Sequence, residues 1–302
     1  MGCPEGLSAE PTTLFFRGVL MPLLTVIMPA YKAQATIESA IRSALRAMPR
    51  DAELIVAVDG PDERTAECAQ RVKDSRLSVR VDPINRGTVA CMRRRLETTD
   101  SELVARADAD DISMPWRFRS EISALKHADI VCGSAVRFGQ ATLPRPSYVG
   151  SLTSKEVGLL LPFVNPLFHP SMLARRTTLL AANAYAEHSV AEDYVMWFDA
   201  LLSGAKVVKL AVPLIAYRLS QGQISSAPDY VGRVYEDPQV IRAYTAWVEA
   251  KGMSWLIENG GAPGRPAGTR EQLESVIAGV RPQTRPYARH HVRSASTVLT
   301  GS

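Results

Sequence analysis

The chain has 302 residues, 46% hydrophobic and 22% charged, which is enough to bury the core of one large α/β domain. Its formal net charge is +4 and it lacks a long Lys/Arg block with interleaved aromatic residues, which argues against nucleic acid as a partner. The four cysteines are scattered without a Cys-x-x-Cys pair, which argues against structural zinc and against a disulfide framework.

Both ends of the chain are predicted to lie outside the catalytic fold. Residues 1–21 are polar and irregular, and strand-like sequence starts directly after them, so we predict a leader there. No run approaches the roughly 18 apolar residues of a membrane-spanning helix, and we expect a cytoplasmic protein. Peripheral contact with the inner face of the membrane stays open, because Arg281, Arg285, Arg289 and Arg293 make the C-terminal tail positive. Solvation of these side chains is the favoured interpretation.

The first half of the chain alternates β-forming runs with helical patterns. The four candidate strands are residues 23–28, 53–58, 77–81 and 103–107. Between the first two, an apolar stripe at helical spacing consists of Ile37, Ile41, Ala44, Leu45 and Met48. Residues 62–73 and 88–98 also have helical length and composition. This alternation predicts a parallel sheet, and such sheets bind ligands beyond the carboxyl ends of their strands.

The second half predicts shorter strands and one clear helix. The strands are residues 130–138, 171–174, 206–210 and 214–218. The helix covers residues 192–203, with an apolar stripe, acids in its first turn and Gly204 after its end. The pattern predicts a main domain over residues 22–228.

Helices follow the main domain. Asp237 and Pro238 are predicted at the N-terminus of a helix in an extension over residues 229–259. Residues 260–302 are predicted to hold a Gly/Pro-rich linker, a short amphipathic helix with a capping box from Thr269 and Gln272, and a basic tail. We expect the last twenty residues to be disordered and everything from Thr269 onward to be accessory to activity.

A polar cluster follows each of the first four strands. In chain order the clusters are Pro29-Ala30-Tyr31, Asp59-Gly60, Asn85-Arg86-Gly87 and Asp108-Ala109-Asp110-Asp111. Because the carboxyl ends of parallel strands share one edge of a sheet, we expect the four clusters to converge there.

The fourth cluster places three carboxylates within four residues, which is costly unless a cation or ligand offsets the like charge. Asp108 and Asp110 point the same way if the strand persists. Two oxygen donors suit Mg²⁺ or Mn²⁺, which take further ligands from water and substrate phosphates. The alternative is an acidic turn that caps a helix starting near Pro115, and local sequence does not decide between the two.

Asp59 and its neighbours also have two interpretations. Asp59 either caps the next helix or accepts the imide N–H of a uracil-like base. Asn85 and Arg86 belong to a triplet that is common in turns, although in this context Arg86 would reach a phosphate.

The acids of the later helix are equally ambiguous. Glu192 and Asp193 at its N-terminus are stabilised by the helix macrodipole, which for most such pairs is the whole explanation. The same dipole keeps a carboxylate ionised, as a general base requires. His169, between Phe168 and Pro170, is more often a buried or turn histidine than a catalytic one.

Taken in order, these motifs resemble those of the family 2 glycosyltransferases, enzymes of the GT-A fold. The resemblance covers residues 23–225, and its matching stretches are residues 25–31, 53–60, 105–117, 169–175, 192–194 and 217–225. It implies a Rossmann-like, mostly parallel central sheet flanked by helices, with a helical C-terminal extension.

The resemblance also implies roles for individual residues. Together with the strand-end clusters, it implies a nucleotide-sugar site formed by Pro29, Ala30, Tyr31, Asp59, Asn85, Arg86, Asp108 and Asp110. Asp108 and Asp110 would hold Mg²⁺ or Mn²⁺, and Asp193 would be the catalytic base of a single inverting displacement. His169 and Glu192 would lie on the acceptor or sugar side.

Five positions depart from the family pattern. Val58 stands where the family usually has the first of two aspartates, and Lys32 replaces a usual Asn. Arg93 and Arg95 stand where related sequences often carry Asn and Gly. Ser220 occupies the place of a frequent metal-associated His, which leaves the third protein ligand open.

The leading hypothesis is therefore transfer of a sugar from a nucleoside diphosphate, expected to be UDP, to a hydroxyl of a saccharide or glycolipid, as in polysaccharide biosynthesis. One alternative is an inactive relative that still binds a nucleotide sugar. Another is a sugar-phosphate nucleotidyltransferase, but such enzymes usually have a Gly-rich phosphate loop after the first strand, and the sequence after Ala30 has none.

Overall fold

The structure is a computed structural model that describes residues 22–139, 142–147, 150–186, 189–220, 228–258, 261–263, 267–295 and 297–298. The predicted leader, residues 1–21, lies outside the described residues, as do Ile224 and Ser225 of the last family-like motif.

The described elements alternate between strands and helices in the first half and become mostly helical at the end. The strands are β1 Leu24–Ala30, β2 Ala52–Val58, β3 Leu77–Val81, β4 Leu103–Arg106, β5 Ile112–Ser113, β6 Ile130–Gly139, β7 Thr142–Pro146, β8 Leu173–Arg175, β9 Val207–Leu219, β10 Ala267–Gly268 and β11 Thr297–Val298. The helices are α1 Ile37–Ala47, α2 Glu63–Gln70, α3 Gly87–Thr98, α4 Arg117–Ala124, α5 Ser154–Leu160, α6 Arg176–Ala181, α7 Glu192–Leu202, α8 Tyr230–Glu236, α9 Pro238–Ala250, α10 Trp255–Glu258, α11 Arg270–Ala278 and α12 Arg285–Ala295. Short 3₁₀ turns cover His169–Ser171 and Pro282–Thr284.

One large sheet has the strand order β3-β2-β1-β4-β8-β6-β9-β5, with β7 paired to β6. The strands β3, β2, β1 and β4 are parallel to one another, and β6 is parallel to β9. The short strand β8 is antiparallel to both β4 and β6 and joins the two parallel parts. The predicted fold class, a mostly parallel central sheet flanked by helices with helices at the C-terminus, is confirmed.

The four first-half strands and the helices between them lie where the sequence predicts them. Ile37, Ile41 and Ala44 of α1 have no exposed surface, as expected for the buried stripe of an amphipathic helix. The central strand β1 is buried on both faces, because helices cover both sides of a parallel sheet. The sheet therefore holds the ends of β1 to β4 rigidly along one edge.

The predicted separation of residues 206–210 from 214–218 is wrong, because β9 is one continuous strand. Pro213 stands between the two predicted stretches and cannot donate a ladder hydrogen bond. In the structure Pro213 lies opposite Ser134, where the β6–β9 register shifts. An irregular position tolerates a missing donor, so the strand continues past the proline.

The expected disorder is wrong for the part of the last twenty residues that the structure describes, because α12 packs its apolar side into the core. Ala288 and Val292, one helical turn apart, have no exposed surface. Apolar residues one turn apart are enough to bury one face of a helix whose other face is basic. The capping box of α11 is confirmed. The side chain of Thr269 accepts from the backbone N–H of Gln272, and the side chain of Gln272 accepts from the backbone N–H of Thr269.

A buried carboxylate attaches this C-terminal segment to the main domain. Glu156 of α5 is 1% exposed and accepts hydrogen bonds from Nε of Arg281 at 2.9 and 3.0 Å and from the hydroxyl of Thr284 at 2.8 Å. Apolar residues of α11 and α12 share one core cluster with Trp197 of α7 and Tyr244 of α9. The C-terminal helices are thus part of the folded unit.

Within the described residues, no helix combines the length and apolarity needed to cross a lipid bilayer.

Candidate active site

Asp59, at the end of β2, organises the turn that precedes α3. Its Oδ1 accepts the backbone N–H of Arg86 at 2.9 Å, and its Oδ2 accepts that of Gly87 at 2.8 Å. The side-chain amide of Asn85 donates to the carbonyl oxygen of Asp59 at 3.1 Å. The alternative that Asp59 caps the next helix is wrong, because Asp62 caps α2. Contact between Asp59 and a nucleobase stays a prediction.

The residues after β1 present an exposed aromatic ring beside Asp59. Pro29 and Ala30 pair with β2 inside the sheet, and the carbonyl of Ala30 accepts the N–H of Asp59 at 2.9 Å. Tyr31 is 51% exposed, and the ammonium of Lys32 lies 5.1 Å from its ring centroid. The predicted clusters of β1, β2 and β3 therefore lie together at one edge of the sheet. The side chain of Arg86 is exposed there, and its contact with a phosphate stays a prediction.

The three aspartates after β4 have different surroundings. Asp108 accepts from Nε of Arg106 at 2.7 Å. Asp111 is 5% exposed and accepts the backbone N–H of Arg218 at 2.8 Å, which fixes the loop to β9. Burial and the charge of Asp108 raise the pKa of Asp111 to about 8. Asp111 thus belongs to the interior, whereas Asp108 and Asp110 are only partly buried.

Asp108 and Asp110 offer a donor set that fits a divalent cation. Burial, and then the charge of Asp108, raise the pKa of Asp110, so ionisation of both carboxylates has an electrostatic cost. A cation between them would remove that cost. Within the described part of the chain, no group of three His, Cys, Asp or Glu side chains is arranged to hold a metal ion. Two carboxylates suit Mg²⁺ or Mn²⁺ when water and phosphate oxygens complete the coordination.

Arg106, the last residue of β4, connects the aspartate cluster to the later helix. It is 8% exposed. Its Nε donates to Asp108, and its Nη1 lies 2.7 Å from Nδ1 of His169 and 3.1 Å from Oε1 of Glu192. Burial opposes its charge, but the charges of Asp108 and Glu192 hold its pKa well above the usual value. Sequence reasoning assigned Arg106 no role, although an arginine at the end of a buried strand is itself a signal.

His169 is 6% exposed and acts as a neutral link in this network. Because a guanidinium only donates, Nδ1 must accept from Arg106, so Nε2 carries the proton and donates to the hydroxyl of Tyr185 at 2.6 Å. Burial and the charge of Arg106 lower the pKa of His169 well below its usual value. The histidine is buried in a 3₁₀ turn, as the local sequence favoured. Its contact with an acceptor stays a prediction.

Asp193 lies in the first turn of α7 and is held by two hydrogen bonds. Its Oδ2 accepts from the side-chain amide of Asn165 at 2.8 Å, and its Oδ1 accepts the backbone N–H of Tyr194 at 2.8 Å. Burial and the neighbouring charge of Glu192 raise its pKa to about 6, although Arg106 acts in the opposite direction. Asp193 is therefore mostly ionised at neutral pH and basic enough to accept a proton. Sequence reasoning missed Asn165, which is 28 residues away in the chain.

The structure brings the predicted site residues to one side of the sheet. Arg106 joins Asp108, after β4, to Glu192, in the first turn of α7 beside Asp193. Asp59 follows β2, and only β1 separates β2 from β4. The sheet thus carries two carboxylates after one strand and, on the same side, a partly buried acid in the first turn of a later helix.

Comparison with known proteins gives the family. The model of glycosyl transferase family 2 matches residues 25–183, which is more than half of the chain. The chain belongs to this family and is a glycosyltransferase.

Curated relatives are similar over much of their length. An uncharacterised glycosyltransferase of Haemophilus influenzae is 26% identical over 231 residues, which are 68% of this chain and 68% of the relative. The amylovoran biosynthesis glycosyltransferase AmsE of Erwinia amylovora is 25% identical over 57% of this chain and 66% of its own length. The Escherichia coli enzyme WfaP, named as a UDP-Glc:α-D-GlcNAc-diphosphoundecaprenol β-1,3-glucosyltransferase, is 21% identical over 68% of this chain and 81% of its own.

Among solved structures, S. aureus TarS 1-349 in complex with UDP-GlcNAc superposes with a TM-score of 0.57 at 18% identity. The match covers 90% of this chain and 87% of that chain. At this identity the likeness establishes the shared GT-A fold.

Proposed function

We propose that the protein transfers a sugar from a UDP-sugar to a hydroxyl of a saccharide or glycolipid acceptor, with inversion at the anomeric carbon and with help from Mg²⁺ or Mn²⁺. The observation that carries the proposal is the linkage of Asp193 to the aspartate cluster. The base neighbours Glu192, and Arg106 ties Glu192 to Asp108. A donor held at the aspartates would therefore present its sugar towards the base.

The donor side of this proposal rests on the strand-end clusters. Tyr31 offers an exposed ring on which the nucleobase would stack. Asp59 accepts two backbone N–H groups and has lone pairs left for the imide N–H of that nucleobase. The solved complex of TarS with UDP-GlcNAc and the named donor of WfaP support a uridine nucleotide.

Asp108 and Asp110 would hold the metal ion. When bound, the cation supplies positive charge that neutralises the departing diphosphate. Arg218 lies on the same side, since its Nε donates to the carbonyl oxygen of Asp110 at 2.8 Å. Arg218 would thus add a further cation beside the phosphates of a bound donor.

Asp193 would act as general base on the acceptor. As the acceptor oxygen forms its bond to the anomeric carbon, its proton passes to the carboxylate, and the bond from that carbon to the diphosphate oxygen breaks. The electron pair leaves with the nucleoside diphosphate. The hydrogen bond from Asn165 fixes the direction of the carboxylate, and attack from the face opposite the leaving group gives inversion.

The acceptor class follows from the relatives. The names of AmsE and WfaP refer to a polysaccharide and to a sugar linked through a diphosphate to a lipid. Both are saccharides with free hydroxyls, so the proposal assigns this protein an acceptor of that class.

A panel of nucleotide sugars tests the proposal. Thermal stabilisation and slow donor hydrolysis would be measured for UDP-, GDP- and TDP-linked sugars, each with Mn²⁺ and with excess EDTA. We expect at least one UDP-sugar to raise the Tm and to be hydrolysed only with the metal. Equal responses to all nucleotides, or none to any, would contradict the proposed donor, and unchanged hydrolysis in EDTA would contradict metal assistance.

A further inference from the structure

Two arginines face each other across the β6–β7 hairpin. Arg137 of β6 pairs directly with Arg145 of β7 in the antiparallel register. Side chains of directly paired residues lie on the same face of a sheet about 5 Å apart at Cβ, where like charges destabilise the pair. Both are exposed, and within the described part of the chain neither guanidinium forms an ion pair. A bound anion would relieve the repulsion between the two guanidiniums.

Arg137 contacts the segment that leads into His169. The guanidinium of Arg137 is 5.6 Å from the ring centroid of Phe168, which directly precedes His169. The same ring meets that of Tyr217 edge-on at 5.8 Å, and Tyr217 pairs with Arg137 in the β6–β9 register. These contacts place the guanidinium of Arg137 beside Phe168, the neighbour of His169 in the chain, and Arg145 is its partner in the register.

The pair is separated from the phosphates of the donor. Arg218, which follows Tyr217 in β9, points to the opposite face by strand alternation and donates to the carbonyl oxygen of Asp110. Arg218 therefore belongs to the aspartate cluster, whereas Arg137 and Arg145 lie on the other face, beside Phe168.

We infer that Arg137 and Arg145 bind the diphosphate of an acceptor in which a saccharide is joined through that diphosphate to an apolar chain. Two planar guanidiniums on one face match the oxygens of a diphosphate, with bidentate hydrogen bonds as well as charge. Leu143, two residues before Arg145 and so on the same face of β7, is 80% exposed and offers an apolar contact for the chain. The assignment to an acceptor rests on the proposed function, but the diphosphate site itself does not.

Binding of farnesyl diphosphate to the full chain tests this inference. Its Kd and that of UDP with Mn²⁺ would be measured by calorimetry for the wild type, Arg137→Gln, Arg145→Gln and the double variant, with farnesol as the uncharged probe. Arg50→Gln is the matched control, because Arg50 is exposed and precedes β2 at the opposite edge of the sheet. A second double variant, R137K with R145K, keeps the charge but loses the planar fork.

We expect each single glutamine variant to weaken farnesyl diphosphate binding about 10-fold, as a lost charge-assisted contact does, and the double variant to weaken it further. Binding of UDP should stay within about 2-fold, the lysine variant should keep part of the affinity, and the Arg50 control should match the wild type. Farnesol should bind weakly and equally to all variants.

Three outcomes would overturn the inference. Equal farnesyl diphosphate affinity in all variants would remove the arginines from any anion site. A parallel loss of UDP affinity would assign them to the donor. Binding to phosphatidylglycerol vesicles would be measured for the same variants. If the glutamine variants lose vesicle binding but keep the wild-type affinity for farnesyl diphosphate, the pair is a membrane contact. If UDP does not bind the wild type at all, the proposed donor fails, while the farnesyl diphosphate comparison still decides the arginine site.

Discussion

Nη1 of Arg106 lies 2.7 Å from Nδ1 of His169, although the two residues are 63 positions apart in the chain. The same nitrogen reaches Glu192, so one buried cation meets three different segments. Because the arginine donates to every partner, it fixes the histidine as a neutral acceptor and keeps two carboxylates paired. Arg106 therefore ties the first turn of α7, where Asp193 lies, to the aspartate cluster.

Replacement of this arginine should affect both stability and the acid limb of the pH profile. Arg106→Met leaves the partly buried carboxylates of Asp108 and Glu192 unpaired and should cost about 3–5 kcal/mol in unfolding free energy. It also removes a charge that lowers the pKa of Asp193, so the acid limb of kcat/KM should move to higher pH. Urea unfolding and a pH–rate profile measure the two effects.

Two controls separate charge from structure at this position. Arg106→Lys keeps the charge, so its acid limb should stay close to that of the wild type. Arg119→Met removes a cation from the exposed side of α4 and should change neither quantity. An unmoved acid limb in a folded Arg106→Met enzyme would show that the arginine does not act on the base.

Asp193 should set the pH dependence of the wild-type enzyme. A base must be ionised, and burial raises the pKa of Asp193 to about 6, so activity should be full above that pH and fall as the pH drops below about 6. Asp193→Asn should reduce kcat at least about 10²-fold and leave UDP affinity nearly intact. Asp199→Asn, further along α7 and paired with Arg242, is the matched control. Turnover unchanged in Asp193→Asn would exclude it as the base.

Asp110 should make the binding of the nucleotide depend on the metal ion. Asp110→Ala should remove the Mn²⁺-dependent part of UDP binding measured by calorimetry, because one of two protein carboxylates is lost. Since the pKa of Asp110 is raised, metal affinity of the wild type should also increase with pH as the carboxylate ionises. Asp100→Ala, exposed before β4 at the other edge of the sheet, should respond to Mn²⁺ like the wild type. The same response in Asp110→Ala would refute the ligand assignment.

Glu156 should make the attachment of the C-terminal helices sensitive to pH. Burial opposes its ionisation, but hydrogen bonds from Arg281, Thr153 and Thr284 outweigh burial and lower its pKa to about 2. A lowered folded-state pKa stabilises the protein above the unfolded value near 4.5, and the contribution, about 3 kcal/mol, is lost as the pH falls towards 2. Urea unfolding should therefore show a steeper loss between pH 5 and 3 for the wild type than for Glu156→Gln, on the order of 1 kcal/mol or more. Parallel curves would contradict the role of this carboxylate.

Deletion of residues 269–302 should abolish soluble folded protein, contrary to the accessory role that sequence suggested. The deletion removes buried side chains of α11 and α12 and of the turn between them, namely Leu273, Val276, Ile277, Val280, Ala288 and Val292. Burial of one of the larger aliphatic side chains contributes about 1.5–3 kcal/mol, so their joint loss exceeds the stability of a typical domain. Expression, solubility and circular dichroism of the truncated chain check this, and a folded, active truncation would contradict it.

Local sequence predicted those features that depend on a few neighbouring residues. Side-chain periodicity located β1 to β4 and α7, and capping residues located the starts of α9 and α11. The order of short motifs also indicated the family. Each of these signals arises within one turn or one strand, so it is present in the chain before any tertiary contact forms.

Only the tertiary structure decided how the site is connected. The turn at residues 85–87 needs Asp59 from another strand, and the carboxylate of Asp193 needs Asn165. Arg106 meets His169 and Glu192 across 63 and 86 positions. The placement of α12 likewise depends on a core to which distant helices contribute. Local propensity carries no information on such contacts, because their free energy comes from burying and pairing groups that become neighbours only when the whole sheet has assembled.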